Sequence, residues 1–207
     1  MSDFGLPEQQ GLYDPANEKD ACGVGFVCDI KGRPSRQIVE DALHMNCCME
    51  HRGGVGYEQN TGDGAGILLG LPDAFLRNEA QSLGFTLPPA GSYGVGNVFL
   101  PRDDNARAIC IATLEAQISA AGQQLLGWRD LPTHPDGAGI GNAARAAMPE
   151  FAQVFIAAKG VSGDDFERKL YLIRKHSTHL LRGNPDLEQR KLFYVASLSS
   201  KVIIYKG

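Results

Sequence analysis

The sequence predicts one mixed domain of alternating strands and helices, and three observations carry that prediction. From Gly23 onward, short β-branched apolar runs alternate with stretches of helical periodicity. No linker and no low-complexity tract interrupts them. A length of 207 residues with an apolar fraction of 43% is enough to bury one good-sized core. No apolar run approaches the ~18 residues a membrane span needs. A net charge of −4 and a pI near 5.7 argue against a nucleic-acid or anionic-membrane surface.

The elements follow in order. Gly23–Ile30 is short, β-branched and bounded by Lys31-Gly32, which reads as a buried strand. Ser35 caps a helix through about Met49, with Ile38, Val39, Ala42, Leu43 and Met45 at helical spacing. His51–Gly62 is a Gly-rich loop, Gly64–Leu71 a second strand, and Asp73 the cap of a helix that stops at Gly84. Tyr93–Leu100 is a third strand, Asp103–Ala121 a third helix and, after the turn at Gly122, Gln124–Leu131 a fourth strand. A loop rich in Gly and Pro, Pro132–Asn142, precedes a fifth strand, Phe151–Ala158. Asp164–Leu181 is a long helix with Asp164 or Asp165 at its cap; Leu192–Leu198 and Lys201–Tyr205 then form a hairpin around Ser199-Ser200. The final strand ends the chain while still strongly β-forming, so the expectation is a chain cut from something longer.

The first 21 residues stand apart. They carry Asp3, Glu8, Asp14, Glu18 and Asp20 against Lys19 alone, with Pro7, Pro15 and little periodicity. This is neither a secretory signal nor a transit peptide. It reads as a frayed terminus or a removable leader, and the chain as cytoplasmic with reduced thiols.

Two counts call for explanation. Glycine reaches 25 residues of 207, against a usual ~7%. It recurs in pairs within apolar strands, Gly23/Gly25, Gly64/Gly66 and Gly94/Gly96, which implies close approach of another backbone or a ligand. No pair completes a dinucleotide or phosphate-loop motif. Cysteine stands at five, so a fully paired disulfide scaffold is excluded. Cys47-Cys48 with His51 lacks the spacing of a zinc site, and no metal is expected. Cys28 and Cys110 read as small core residues. His176 and His179 share a helix with Arg174, Lys175 and Arg182 and read as part of a solvated basic face.

Cys22 is different, because it follows Asp20-Ala21, opens a predicted strand and is followed by glycine. If the bond before it is cut, one carbon carries both a thiol and a free α-amine. With a pKa of about 7.7–8.0 that amine can serve as general base for its own side chain. Such a thiol suits acyl transfer. A buried strand cysteine is the commoner case for this residue type, and composition alone leaves both readings open.

Three motifs in one order then carry a resemblance. They are Asp20-Ala21-Cys22-Gly23-Val24-Gly25-Phe26, His51-Arg52-Gly53-Gly54-Val55-Gly56 and Thr61-Gly62-Asp63-Gly64-Ala65-Gly66-Ile67. Together with Tyr93-Gly94-Val95-Gly96, Leu126-Gly127-Trp128-Arg129 and Ser197-Leu198-Ser199-Ser200 leading to Tyr205-Lys206-Gly207, they make the chain from about Leu12 onward resemble the glutamine amidotransferase domain of glutamate synthase large subunits. The resemblance implies a class II amidotransferase of the α+β class with the N-terminal-nucleophile hydrolase fold, a four-layer αββα sandwich that this chain holds incompletely. It implies a leader, residues 1–21, removed to expose Cys22, and an amidotransferase domain over 22–207 truncated at its C-terminal side. Cys22 would attack the side-chain amide of glutamine, release ammonia and leave a thioester for water to hydrolyse. Gly23, Arg52, Gly53 and Asp63 would support the pocket by shape and hydrogen bonding.

The resemblance also implies what lies elsewhere. FMN and an iron–sulfur cluster belong to a downstream synthase domain that aminates 2-oxoglutarate, and none of these residues is expected to bind them. The partners implied are that domain and a small electron-transfer subunit or ferredoxin, with the electron donor undetermined. The family's Arg-aromatic-Ser-Thr carboxylate grip and Asn-Gly oxyanion pair do not occur here, and His176-Ser177-Thr178 only echoes the former. Losing one oxyanion donor costs about 10²–10³ in turnover, so this segment alone is expected to be inactive. The alternatives are a stand-alone amidohydrolase acting on another amide and a non-catalytic assembly module.

Overall fold

The computed structural model describes residues 9–11, 23–54, 58, 61, 62 and 64–206. The Ser35 hydroxyl accepts from the Ile38 amide and starts α1, Arg36–Cys48; the turn Glu50–Arg52 follows it. Then come β1 (Gly66–Gly70), α2 (Asp73–Ser82), β2 (Tyr93–Leu100), α3 (Asp104–Ala120) and β3 (Gln124–Asp130). The short helices α4 (Pro135–Ala138) and α5 (Asn142–Ala147) occupy the loop before β4 (Glu150–Ala157). The chain finishes with α6 (Gly163–Gly183), β5 (Tyr194–Ser199) and β6 (Val202–Lys206).

Four strands form an antiparallel sheet in the order β3–β4–β2–β5. Strand alternation splits its side chains between two cores. On one face Val98, Leu100, Ala152, Val154 and Ile156 meet α3 and α6. α3 contributes Ala106, Cys110, Leu114 and Ile118, and α6 contributes Phe166, Leu170, Ile173 and Leu181, each set along one stripe of its helix. On the other face Tyr93, Val95 and Phe155 pack with Leu76 and Ala80 of α2, with Leu87, and with Ile203 of β6. The second sheet, β1 with β6, is antiparallel in the register Gly66↔Lys206 to Gly70↔Val202.

The structure corrects several expectations. β5 and β6 are not a hairpin: β5 pairs with β2, whereas β6 crosses to pair with β1 in the other sheet. The corner between them is held by Glu167 of α6, which accepts from the Ser200 amide at 2.7 Å and from both serine hydroxyls, Ser199 at 3.0 Å and Ser200 at 2.6 Å. Gly23–Ile30 is not a strand, and its Val24, Phe26 and Ile30 are 88, 86 and 100% exposed. A strand exists only through the ladder of a neighbour, and among the described residues this segment has none. Cys28 is accordingly exposed rather than in the core.

Two predicted caps also shift. Pro72 precedes α2, and Asp73 sits inside its first turn, where its carboxylate accepts from Arg77 at 2.9 Å and from the Tyr93 hydroxyl at 2.8 Å. The Arg77 guanidinium holds the Asp73 carboxyl below its ordinary range; burial and then the Asp73 bond push the Tyr93 phenol up. Ser162 precedes α6, so Asp164 and Asp165 lie in its first turn and pair with Lys201 and Arg168. Cys110, by contrast, is buried as expected, and His176 and His179 are exposed. Among the described residues no helix is long and apolar enough to cross a membrane.

Candidate active site

α1 and its terminal turn are the scaffold of the candidate site. Met45, Met49 and Arg52 recur at helical spacing, so one stripe carries all three. The glycine segment lies along that stripe. A methyl group on Gly23 would sit 3.1 Å from Met49 Sδ and 3.2 Å from Arg52 Cβ, and one on Gly25 would collide with the Met45 side chain. Glycine at these positions accommodates a close approach to side chains of α1 and its turn, with no positive φ involved. The turn is tightened by the Arg52 amide donating to Met49 O at 2.8 Å and the Gly53 amide donating to Glu50 O at 3.0 Å.

Gly23 thus lies against Arg52, and Gly53 follows Arg52 in the same turn. Cys22 and Asp63 lie outside the described residues, as does the leader apart from residues 9–11. Gly53 itself has extended backbone (φ −93°, ψ 159°), and a methyl group there would meet only Glu50 O at 3.5 Å. Neither conformation nor space within the described residues demands glycine at 53.

The far end of the Gly-rich loop is pinned by a residue that sequence reasoning did not single out. Glu58 accepts from the Ala143 amide at 3.1 Å, at the N-terminus of α5, and from Thr61 Oγ1 at 3.0 Å. The Ala143 amide bond holds its carboxyl below the ordinary glutamate range. Gly141 leaves room for this carboxylate, which a side chain at 141 would strike. An acid in a Gly-rich loop is a weak sequence signal, because its partner lies 85 positions away.

A cavity of about 280 Å³ opens between α1 and the sheets, bordered by Leu43 and Asn46, by Gly66 and Ile67 of β1, and by Asn97 and Tyr205. Behind its Asn97 and Tyr205 runs a polar hydrogen-bond chain. Gln153, wholly buried, donates to Asn97 Oδ1 at 2.9 Å and to the Tyr205 hydroxyl at 3.0 Å. Its carbonyl accepts from Arg129, which pairs with Glu79 at 2.6 Å. Asn97 in turn donates to Ile204 O at 2.7 Å. Burial raises the Tyr205 phenol above its ordinary value, so it stays protonated and can act as a neutral hydrogen-bonding group. A signal was present in the sequence: a single amide interrupts each of two apolar strands, and Asn97 and Gln153 are register partners.

The described cysteines offer no poised nucleophile in the core, since burial pushes the Cys110 thiol up to about 11. Among the described residues no group of three His, Cys, Asp or Glu side chains could hold a metal.

Comparison with known proteins bears on the residues the geometry leaves open. The family model for class II glutamine amidotransferases matches residues 22–207, beginning at Cys22. The chain is 41% identical over 210 residues to the glutamate synthase (NADH) of Schizosaccharomyces pombe, covering 98% of this chain and 10% of that relative. It is 42% identical over 204 residues to the glutamate synthase (NADPH) large chain of Bacillus subtilis, covering 98% of this chain and 13% of the relative. With the chloroplastic ferredoxin-dependent glutamate synthase of Oryza sativa subsp. japonica the identity is 38% over 197 residues, covering 95% and 12%. The chain therefore spans only 10–13% of the length of these relatives.

Proposed function

The chain belongs to the class II glutamine amidotransferases, and from that membership we propose that it carries the glutaminase half-reaction of a glutamate synthase. The observation that carries this reading is the start of the family match at Cys22, with Gly23 seated against the Arg52–Gly53 turn. Cleavage after Ala21 frees the Cys22 α-amine, which takes the thiol proton. The sulfur then attacks the side-chain amide carbon of glutamine, the C–N bond breaks with ammonia leaving, and water hydrolyses the γ-glutamyl thioester to glutamate. Gly23, Arg52, Gly53 and Asp63 shape and hydrogen-bond the pocket.

The fold proposal is finer than α+β. In a four-layer arrangement α3 and α6 cover one sheet, β1 and β6 open the second, and α1 lies outside it. Packing of α1 against β1 supports this order. So do the exposed apolar side chains at alternate positions of Gly23–Ile30, which suit a strand of the second sheet once a neighbour is present. The Arg-aromatic-Ser-Thr and Asn-Gly segments of the family are absent from these residues, so in this proposal turnover requires groups supplied by the rest of the polypeptide. FMN, an iron–sulfur cluster and the 2-oxoglutarate chemistry belong there too, with an electron-transfer subunit or ferredoxin as donor and a cytoplasmic setting.

The test uses the full polypeptide. Cys22→Ala should abolish glutamine-dependent glutamate formation and leave ammonia-dependent formation intact; persistence of the glutamine-dependent reaction overturns the nucleophile. Intact-mass analysis of active protein should find Cys22 as its first residue, and an active species still beginning at Met1 overturns the processing step.

A further inference from the structure

We propose that Glu58 is a positioning residue for glutamine binding, a clamp that ties the far end of the Gly-rich loop to α5; the proposal rests on the glutaminase reading above. The near end of that loop is fixed on α1, where the Arg52 and Gly53 amides close the Glu50–Arg52 turn. Gly53 and Asp63, both placed in the pocket by that reading, stand on either side of Glu58 in the sequence.

Two sets of bonds distinguish Glu58 from a solvated acid. Within the loop its backbone carbonyl accepts from the Thr61 amide at 3.0 Å, and its carboxylate accepts from Thr61 Oγ1 at 3.0 Å. The turn so closed ends two positions before Asp63. Across the fold, both carboxylate oxygens lie 3.1 Å from the Ala143 amide in the first turn of α5. A hydrogen bond to an ionised acceptor is roughly twice as strong as a neutral one. α5 is itself held: the Arg145 carbonyl accepts from Arg102, just past β2, at 3.0 Å, and the Arg145 guanidinium pairs with Asp136 at 2.8 Å. The loop therefore takes its position from the region of the four-stranded sheet as well as from α1.

Gly141 gives an independent observation. Its backbone (φ −65°, ψ 164°) is open to any residue, so conformation does not ask for glycine. Space does. A methyl group at 141 would strike the Glu58 carboxylate and lie 2.6 Å from Thr61 Oγ1, and its three nearest atoms all belong to the clamp. Gly141→Ala thus disturbs the clamp from the opposite side and leaves Glu58 in place. A loop already held in its binding geometry spares the ordering cost when substrate arrives, whereas the reacting sulfur is on Cys22. The signature of the clamp is therefore in KM for glutamine rather than in kcat.

The test uses the full polypeptide with glutamine as the varied substrate and amide exchange as a second measurement. Glu58→Ala should raise KM for glutamine about tenfold with kcat within about twofold, because a held loop is lost and no reacting group is. Gly141→Ala should do the same, and the double variant should be no worse than either, since both break one contact. Glu58→Gln, whose carbonyl can still accept from Ala143, should keep KM within about threefold of the unaltered protein. Amide exchange at Thr61 and Ala143 should quicken in both alanine variants. Unchanged exchange overturns the clamp, and so do additive effects of the two variants. Faster exchange with an unchanged KM, or a loss confined to kcat, overturns the positioning role. If exchange quickens but the unaltered polypeptide consumes no glutamine, the glutaminase reading fails and takes the positioning role with it, leaving a purely structural contact.

Discussion

Ser177 carries a buried hydroxyl with no hydrogen-bond partner among the described residues, on the face of α6 that otherwise presents Leu170, Ile173 and Leu181 to the core. Its neighbour Thr178 bonds back to Arg174 O at 2.8 Å, so the helix offers such a bond and Ser177 does not take it. An unpaired buried hydroxyl costs on the order of 1–3 kcal/mol of desolvation that nothing offsets. Ser177→Ala should therefore raise stability by about 1 kcal/mol, read as a higher urea midpoint with an unchanged slope; a lower midpoint would reveal a partner for the hydroxyl. At the same scale Cys28 and Cys110 separate cleanly. Both sit in apolar stretches of sequence, but only Cys110 falls on a helix stripe that meets a sheet.

At the scale of elements, glycine marks where backbones and helices press together. Gly94 faces Leu170 of α6, whose Cδ1 would lie 2.5 Å from an added methyl group. Gly96 faces the neighbouring strand: a methyl group there would lie 2.9 Å from Ser197 O, a backbone atom that cannot turn aside. Gly96→Ala should cost about 2 kcal/mol, because overpacking outweighs the gain from replacing a flexible residue. The loss should be accompanied by faster amide exchange in β5, and unaltered exchange there would place the strain elsewhere. The corner after β5 follows a similar logic. Glu167 fixes Ser199 and Ser200, and that turn sends β6 away from its sequence neighbour toward β1.

Across the whole molecule, polar bonds join the two sheets where apolar packing alone leaves their alignment free. Gln153 reaches the Tyr205 hydroxyl, Asn97 reaches Ile204 O, and the Ile204 amide donates to Ser197 Oγ at 3.0 Å. Gln153→Leu keeps the approximate size but takes one partner each from Asn97, Tyr205 and Arg129. It should cost about 3 kcal/mol, more than one lost hydrogen bond, because three bonds go at once. Chemical denaturation of the variant checks this; a change below about 1 kcal/mol would mean that water replaces the amide without loss.

Local chemistry determined a great deal by itself. Ser35 and Asp103 start their helices through their own side chains, and α1, α3, α6, β2 and β4 lie where periodicity placed them. The motifs at Cys22, His51-Arg52-Gly53 and Thr61-Gly62-Asp63 carried the family. Helices are legible because they satisfy their own backbone, and caps because they act within three residues. Only the tertiary structure decided that β6 leaves β5, that Gly23 and Gly25 lie against α1 and its turn with no ladder among the described residues, and that Asn97, Gln153 and Tyr205 meet. A strand takes its hydrogen bonds from a neighbour, and a buried amide takes its partners from other elements; neither neighbour is named by the residues beside it in the chain.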